Sequence, residues 1–299
     1  MIQPPFLQTN DRVRIVSPSG HIDPVYIDGA KRIFTEWGLR PDEGKHAQEK
    51  YGRFAGTDEQ RTEDLQEALN HPDIKAILCS RGGYGLARII DRLDFTAFKK
   101  NPKWLIGFSD ITVLHNAISL QGVNSLHSIM AKHLTVLAPD SQPVIQLRQT
   151  LFGNLPAYSS PVHPLNRPGI VRGKLTGGNL SVLSGLRGSK FDLDFENTIL
   201  FIEDIAEKPY HIDRMIQNLR LSGAFEKISG LILGQFSDCE EDPFMHGTIH
   251  ELIYEAVKDY KFPVCFNFPV GHVEENLPLI CGADVQLKVT EQDTLLSYL

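Results

Sequence analysis

The feature that most constrains this chain is the alternation in its first half. Short apolar, β-branched runs recur, each separated from the next by a helical period. Val13 to Val16 is one such run and ends in the turn cluster Ser17-Pro18-Ser19-Gly20. Pro24 to Trp37 reads as a helix with Ile27, Ala30, Ile33 and Phe34 on one face, and Gly38 stops it. Thr57 with Gln60 forms a capping box that opens a second helix through Leu65 and Leu69. Ile74 to Cys79 is the next strand, broken by Ser80-Arg81-Gly82-Gly83-Tyr84-Gly85, and Leu86 to Leu93 reads as a short helix. Trp104 to Phe108 is a strand, Asp110 to Leu120 a helix, and Gly122 to Leu126 a further strand. Strands separated by helices predict a mostly parallel sheet covered on both faces. Ligands of such sheets sit outside the carboxyl ends of the strands, which singles out the loops after Cys79 and Phe108.

The texture changes between Ala138 and Gly169, where prolines fall at 139, 143, 156, 161, 164 and 168. This stretch reads as an interdomain crossover. Beyond it, Gly173 to Asn179, Thr198 to Ile202, Ile228 to Leu233, Pro263 to Phe266 and Val285 to Val289 read as strands. Tyr210 to Leu221 and Thr248 to Val257 read as helices. The expected division is residues 1–138, a linker or crossover at 139–168, and a second domain at 169–299.

The 299 residues suffice for one large domain or two modest ones, and 41% hydrophobic with 22% charged residues excludes wholesale disorder. A net charge of −7 argues against a nucleic-acid or anionic-membrane surface. Lys99, Lys100 and Lys103 are too few for a nucleic-acid footprint. Cys79, Cys239, Cys265 and Cys281 form no C-x-x-C pair and have no histidine at zinc-ligand spacing, so they read as reduced thiols of an intracellular protein. The first residues lack a basic then apolar signal, and no apolar run approaches the ~20 residues a bilayer span needs. A soluble, cytoplasmic protein is the expectation.

Three segments could carry chemistry. In Gly107-Phe108-Ser109-Asp110 a serine falls on a sharp strand-to-helix turn, which lifts its hydroxyl clear of the sheet and faces it with a helix N-terminus. The glycine that would complete G-x-S-x-G is absent, and Ser109 or Asp110 could equally be a helix cap. Arg81-Gly82-Gly83-Tyr84-Gly85 permits positive φ and close backbone approach, for an anion or simply for a tight turn. Glu203 and Asp204 end the apolar run Ile199-Leu200-Phe201-Ile202, where a carboxylate could orient a histidine or cap a helix. A serine nucleophile needs a base. His115, His127 and His272 are the candidates, the last in the loop Pro269-Val270-Gly271-His272. Asp238, Glu240, Glu241 and Asp242 read as a solvated loop rather than a calcium site, and Asp192, Asp194 and Glu196 as the wet face of an edge segment.

Five segments in order carry a resemblance. They are Ser80-Arg81-Gly82-Gly83-Tyr84-Gly85, Gly107-Phe108-Ser109-Asp110, Gly173-Lys174-Leu175-Thr176-Gly177-Gly178-Asn179-Leu180, Phe201-Ile202-Glu203-Asp204 and Pro269-Val270-Gly271-His272. With them the chain resembles the LD-carboxypeptidase family of serine peptidases, whose relatives include the microcin-immunity peptidases. The resemblance implies a Rossmann-like parallel-sheet N-terminal domain and a smaller β-rich α/β C-terminal domain. It implies Ser109 as nucleophile, Glu203 as acid and His272 as base, with an oxyanion hole from the backbone N–H groups of Asp110 and Gly83, the latter preferred to Gly82. It implies cleavage of an L,D-amide bond that releases terminal D-Ala from a murein tetrapeptide in cell-wall recycling, by a cytoplasmic homodimer needing no metal or organic cofactor. Arg81, Lys174 and Arg187 are the unranked candidates for the terminal carboxylate. The alternatives are hydrolysis of a peptidyl-nucleotide conjugate, acyl transfer to an amine, and a non-catalytic anion-binding module. The first would want an aromatic platform, and the chain's two tryptophans, Trp37 and Trp104, both fall in core-like segments of the first half.

Overall fold

The computed structural model describes residues 1–240 and 242–299. The chain forms two compact units, one of Met1–Leu155 with Leu277–Gly282, the other of Pro156–Asn276 with Ala283–Leu299. In chain order the strands are β1 (Arg12–Val16), β2 (Arg40–Glu43), β3 (Ile74–Cys79), β4 (Trp104–Gly107), β5 (Ser125–His127), β6 (Tyr158–Ser160) and β7 (Gly169–Asn179). There follow β8 (Thr198–Ile205), β9 (Gly230–Ser237), β10 (Val264–Cys265), β11 (Leu279–Cys281), β12 (Asp284–Val289) and β13 (Thr294–Tyr298).

The first unit holds a six-stranded sheet in the order β11-β5-β4-β3-β1-β2. All its pairings are parallel except β11 on β5, where Leu279 faces His127. Ile15, Val16, Ile77, Leu78, Leu105 and Ile106 are wholly buried, as a sheet covered on both faces demands. The helix Pro24–Glu36 starts on proline behind an Asp23 cap and buries Ile27, Ala30, Ile33 and Phe34, the expected face. The helix Asp58–Asn70 opens with the Thr57–Gln60 capping box, both reciprocal bonds present.

One expected element takes another form. Leu86 to Leu93 is not an α-helix but two 3-10 turns, Leu86–Arg88 and Ile90–Arg92. Its N-terminal residue Gly85 sits at φ +147°, and no side chain caps the turn, so an α-helix has no start there. The stretch 139–168 carries the helix Gln142–Leu151 and strand β6, and the unit boundary falls within it.

The second unit holds a seven-stranded mixed sheet in the order β10-β9-β8-β7-β12-β13-β6. The pairings from β10 to β7 are parallel, and those from β7 through β12 and β13 to β6 antiparallel. Its core joins Leu200, Ile202, Leu231 and Leu233 of the sheet to Ile212 and Ile216 of the helix Pro209–Leu221 and Ile253 and Val257 of the helix Ile249–Val257. Asp192, Asp194 and Glu196 do not edge a strand: Asp192 closes a turn by pairing with Arg187 at 2.8 Å and accepting the Gly188 N–H, and Asp194 accepts the Glu196 N–H. Of the acidic run 238–242, Glu241 lies outside the described residues. Among the described residues no helix is long and apolar enough to cross a membrane.

Candidate active site

Ser109 stands where the sheet of the first unit hands over to a helix. Strand β4 ends at Gly107, and a 3-10 turn, Ser109–Ile111, runs into the helix Thr112–Ser119. Gly107 at φ +158° admits no side chain, because a Cβ there would lie 2.9 Å from Ile111 Cγ1 and 3.2 Å from Cys79 Cβ. Ser109 itself adopts φ +66°. A non-glycine residue in this left-handed region costs on the order of 1 kcal/mol or more and persists only when its surroundings impose it.

The surroundings do so from both sides. The Gly107 carbonyl accepts from His115 Nε2 at 2.8 Å and from the Ser128 N–H at 3.1 Å. His115 Nδ1 meets Ser125 Oγ at 2.8 Å, so with Nε2 donating to the Gly107 carbonyl the neutral ring accepts the serine hydroxyl through Nδ1. Burial pushes its pKa down to about 4, against the weaker pull of the Gly107 bond. His115, open as a base in the sequence, is a support of the turn. On the other side the buried Asp110 carboxylate accepts from Ser19 Oγ at 2.6 Å and from the Leu86 N–H at 3.0 Å. Burial raises its pKa, and these two bonds work in the opposite direction. Cys79, beneath the turn, is fully buried and its thiol is pushed up, so it is no nucleophile.

The glycine-rich loop lies against the serine. A Cβ on Gly82 would come within 2.8 Å of Ser109 Cβ and 3.1 Å of its Oγ. The Gly20 N–H donates to the Gly82 carbonyl at 3.0 Å. In a trans peptide the N–H of Gly83 then points the opposite way, and it has no recorded acceptor among the described residues. Gly83 sits at φ +107°. Arg81, exposed, donates through Nη1 to the His21 carbonyl at 2.9 Å.

Glu203 and His272 meet within the second unit. His272 Nδ1 and Glu203 Oε2 are 2.7 Å apart, with the Glu203 side chain fully buried and that of His272 16% exposed. The carboxylate can accept only from a protonated Nδ1, so Nε2 is the basic nitrogen of the neutral ring. Glu203 lies where the β8–β9 register shifts, between Ile202 and Asp204. The histidine loop is fixed by glycines: Gly271 at φ +126° would place a Cβ 2.9 Å from Glu203 Oε2, and a Cβ on Gly234 would strike the Val270 carbonyl at 2.5 Å. Wholly buried Asn276 accepts the Gly271 N–H at 3.0 Å.

Asp204 does different work from its neighbour. It accepts from Asn179 Nδ2 at 2.8 Å and from the Ser181 N–H at 2.9 Å, and so holds the entry to the helix Leu180–Leu186. Burial pushes its pKa up to about 6. The carboxylate thereby ties the end of the Gly177-Gly178-Asn179 segment to the strand-end acids. A Cβ on Gly177 would fall 1.8 Å from the Phe201 carbonyl, so this position of β7 fits only glycine.

Arg187 is engaged by Asp192 and by Ser222 Oγ, both at 2.8 Å, while Lys174 is exposed on β7. His127 is wholly buried beside Phe108, ring centres 5.7 Å apart. A cavity of about 570 Å³ in the second unit, lined by Pro209, Phe236, Cys239, His246 and His250, includes neither Glu203 nor His272. Among the described residues no cluster of His, Cys, Asp and Glu could hold a metal ion.

Comparison with known proteins identifies the family of the chain. The profile of the LD-carboxypeptidase N-terminal domain matches residues 13–128, and that of the LD-carboxypeptidase C-terminal domain matches residues 172–287. The murein tetrapeptide carboxypeptidase of Pseudomonas aeruginosa is 32% identical over 89% of this chain and 89% of its own. The crystal structure of muramoyltetrapeptide carboxypeptidase from Oxalobacter formigenes superposes with a TM-score of 0.86 at 28% identity, covering 95% of this chain and 97% of that one. The microcin C7 self-immunity protein MccF, solved as a mutant with adenosine monophosphate, shares the fold at TM-score 0.86 and 22% identity, covering 98% of each chain. With both of its domains matched, the chain belongs to the LD-carboxypeptidase family.

Proposed function

We propose that this protein is a serine-type LD-carboxypeptidase that releases the terminal D-Ala of murein tetrapeptides. The observation that carries the reading is the pairing of His272 Nδ1 with a fully buried Glu203, which fixes the tautomer a general base requires. Ser109, held at φ +66° at the mouth of a helix, supplies the matching nucleophile. The reading requires His272 Nε2 to reach Ser109 Oγ in the working enzyme.

In the reaction His272 takes the Ser109 proton as Oγ attacks the carbonyl of the L,D-amide. The N–H groups of Asp110 and Gly83 receive the oxyanion. A single such donor is worth roughly 3 kcal/mol in comparable hydrolases. His272 then gives its proton to the departing amine of D-Ala, and water hydrolyses the acyl-enzyme by the same route in reverse. Arg81, one residue before the glycine that abuts Ser109, is the group proposed for the terminal carboxylate, since its exposed guanidinium bonds a neutral carbonyl whereas Arg187 is already paired with the Asp192 carboxylate. The murein substrate comes from the named relatives. The cytoplasm and a homodimer complete the proposal. Both tryptophans lie in the first unit, Trp104 wholly buried, and neither offers the second unit a nucleobase platform.

The test is mass analysis of murein tetrapeptides and peptidyl-nucleotide conjugates incubated with the protein. Loss of D-Ala from the tetrapeptide, abolished in a folded Ser109→Ala variant by roughly 10⁶-fold as in other serine hydrolases, is the expected result. Full activity in that variant overturns the assignment, and cleavage of the nucleotide conjugates alone redirects it.

A further inference from the structure

Two buried ionic side chains of the first unit converge on the same two pieces of backbone. Arg61 is on the helix Asp58–Asn70 and is 1% exposed. Its Nη1 donates to the Pro18 carbonyl at 2.6 Å and to the Gly85 carbonyl at 3.0 Å. Its Nη2 pairs with Asp58, which Arg88 also holds at 2.8 Å. The guanidinium lies over the Phe54 ring, 4.9 Å from its centre. Asp110, immediately after Ser109, takes the Leu86 N–H and the Ser19 hydroxyl.

The peptide between Gly85 and Leu86 is therefore gripped at both ends, its carbonyl by the cation and its N–H by the anion. The step from Pro18 to Ser19 is gripped in the same way, by carbonyl and hydroxyl. These backbone segments flank the surroundings of the serine: Gly20 bonds the Gly82 carbonyl, and Gly82 abuts Ser109. Gly85 is glycine because a Cβ there would lie 2.6 Å from Arg61 Nη1. Two charges this deep are costly to bury.

We propose that Asp110 and Arg61 act together as positioning residues, a buried clamp that holds the glycine-rich loop at a fixed separation from Ser109. The inference rests on Ser109 being the nucleophile. The two side chains of the clamp touch no substrate. It acts by keeping the loop's N–H groups where the oxyanion forms, and misplacement by about 1 Å costs roughly 100-fold in rate.

The experiment compares Asp110→Asn, Ser19→Ala and Arg61→Lys in the full-length protein. The readouts are kcat and KM on a murein tetrapeptide and the rate at which a fluorophosphonate labels Ser109. Asp110→Asn is expected to lower kcat and labelling together, by roughly 10- to 100-fold, with KM unchanged. Ser19→Ala removes one grip and keeps the other, and a smaller loss of the same kind is expected. Arg61→Lys keeps the charge but loses the guanidinium that reaches two carbonyls through Nη1 and Asp58 through Nη2 at once, so kcat and labelling should fall in the same way. Should Asp110→Asn fail to fold, Ser19→Ala and Arg61→Lys still decide. Folded variants with unaltered kcat and labelling overturn the clamp while leaving the serine assignment standing. Activity that survives Ser109→Ala overturns both.

Discussion

The two halves of the proposed chemistry are built by different physics. Around Ser109 the parts are backbone: a residue forced to positive φ, glycines packed where a Cβ would collide, and carbonyl and N–H groups held by neighbours. Around His272 the reacting parts are side chains, one fully buried carboxylate on one imidazole at 2.7 Å, carried by a loop that Gly271 and Gly234 let close. The first region is sensitive to displacement and the second to charge and tautomer. Substitutions that shift the backbone should therefore damage the first most, and substitutions that remove a charge or change a tautomer should damage the second most.

With Ser109 itself kept in place, the largest effect expected is on the side-chain region. Glu203→Gln keeps the volume but cannot hold the same tautomer, and kcat should fall roughly 10⁴-fold with the fold intact. Measured rates within ten-fold of the parent would place the acid elsewhere. His115 and Asp204 give a second contrast, read by acid unfolding. His115, with its pKa pushed down to about 4, binds its proton more weakly folded than unfolded, so it removes stability as pH falls below 6.5. The full loss is on the order of 3 kcal/mol by pH 4. Asp204, pushed up to about 6, binds its proton more tightly folded, so acidification over the same range adds stability. His115→Gln should flatten the acid loss and Asp204→Asn should steepen it. Like signs from the two variants would contradict the burial argument. The smallest effect is one methyl group: Gly82→Ala must push Ser109 aside, and kcat should drop by roughly 100-fold without a change in melting temperature beyond a few degrees. An unchanged kcat would show that the loop does not set the serine's position.

The alternating first half was legible in sequence because buried parallel strands and capped helices leave local marks, as Thr57 with Gln60 does. The separate candidates Glu203 and His272 were legible only through ordered motifs, since nothing local links residues 69 positions apart. Asp110 was readable as a cap, yet its carboxylate serves Leu86 and Ser19 instead. Arg61 left no mark at all. It sits in Asp58-Glu59-Gln60-Arg61-Thr62-Glu63-Asp64, a stretch whose polarity reads as a solvated face although Arg61 and Asp64 are buried. Asp58 is a local ion-pair partner, but the Pro18 and Gly85 carbonyls that also receive the guanidinium are distant in sequence, and no local pattern records them. Strand β11 escaped for a related reason: three residues carry no period of their own and are a strand only because β5 is there to pair with.

That late strand bears on the order in which the protein is made. On the ribosome β5 is complete at residue 127, but the strand that covers its outer edge ends at residue 281. Throughout synthesis of the second unit the first carries an open parallel edge of the kind that recruits other chains. A product truncated before Leu277 would keep that edge permanently, so premature termination should yield an aggregating fragment rather than a free-standing first unit.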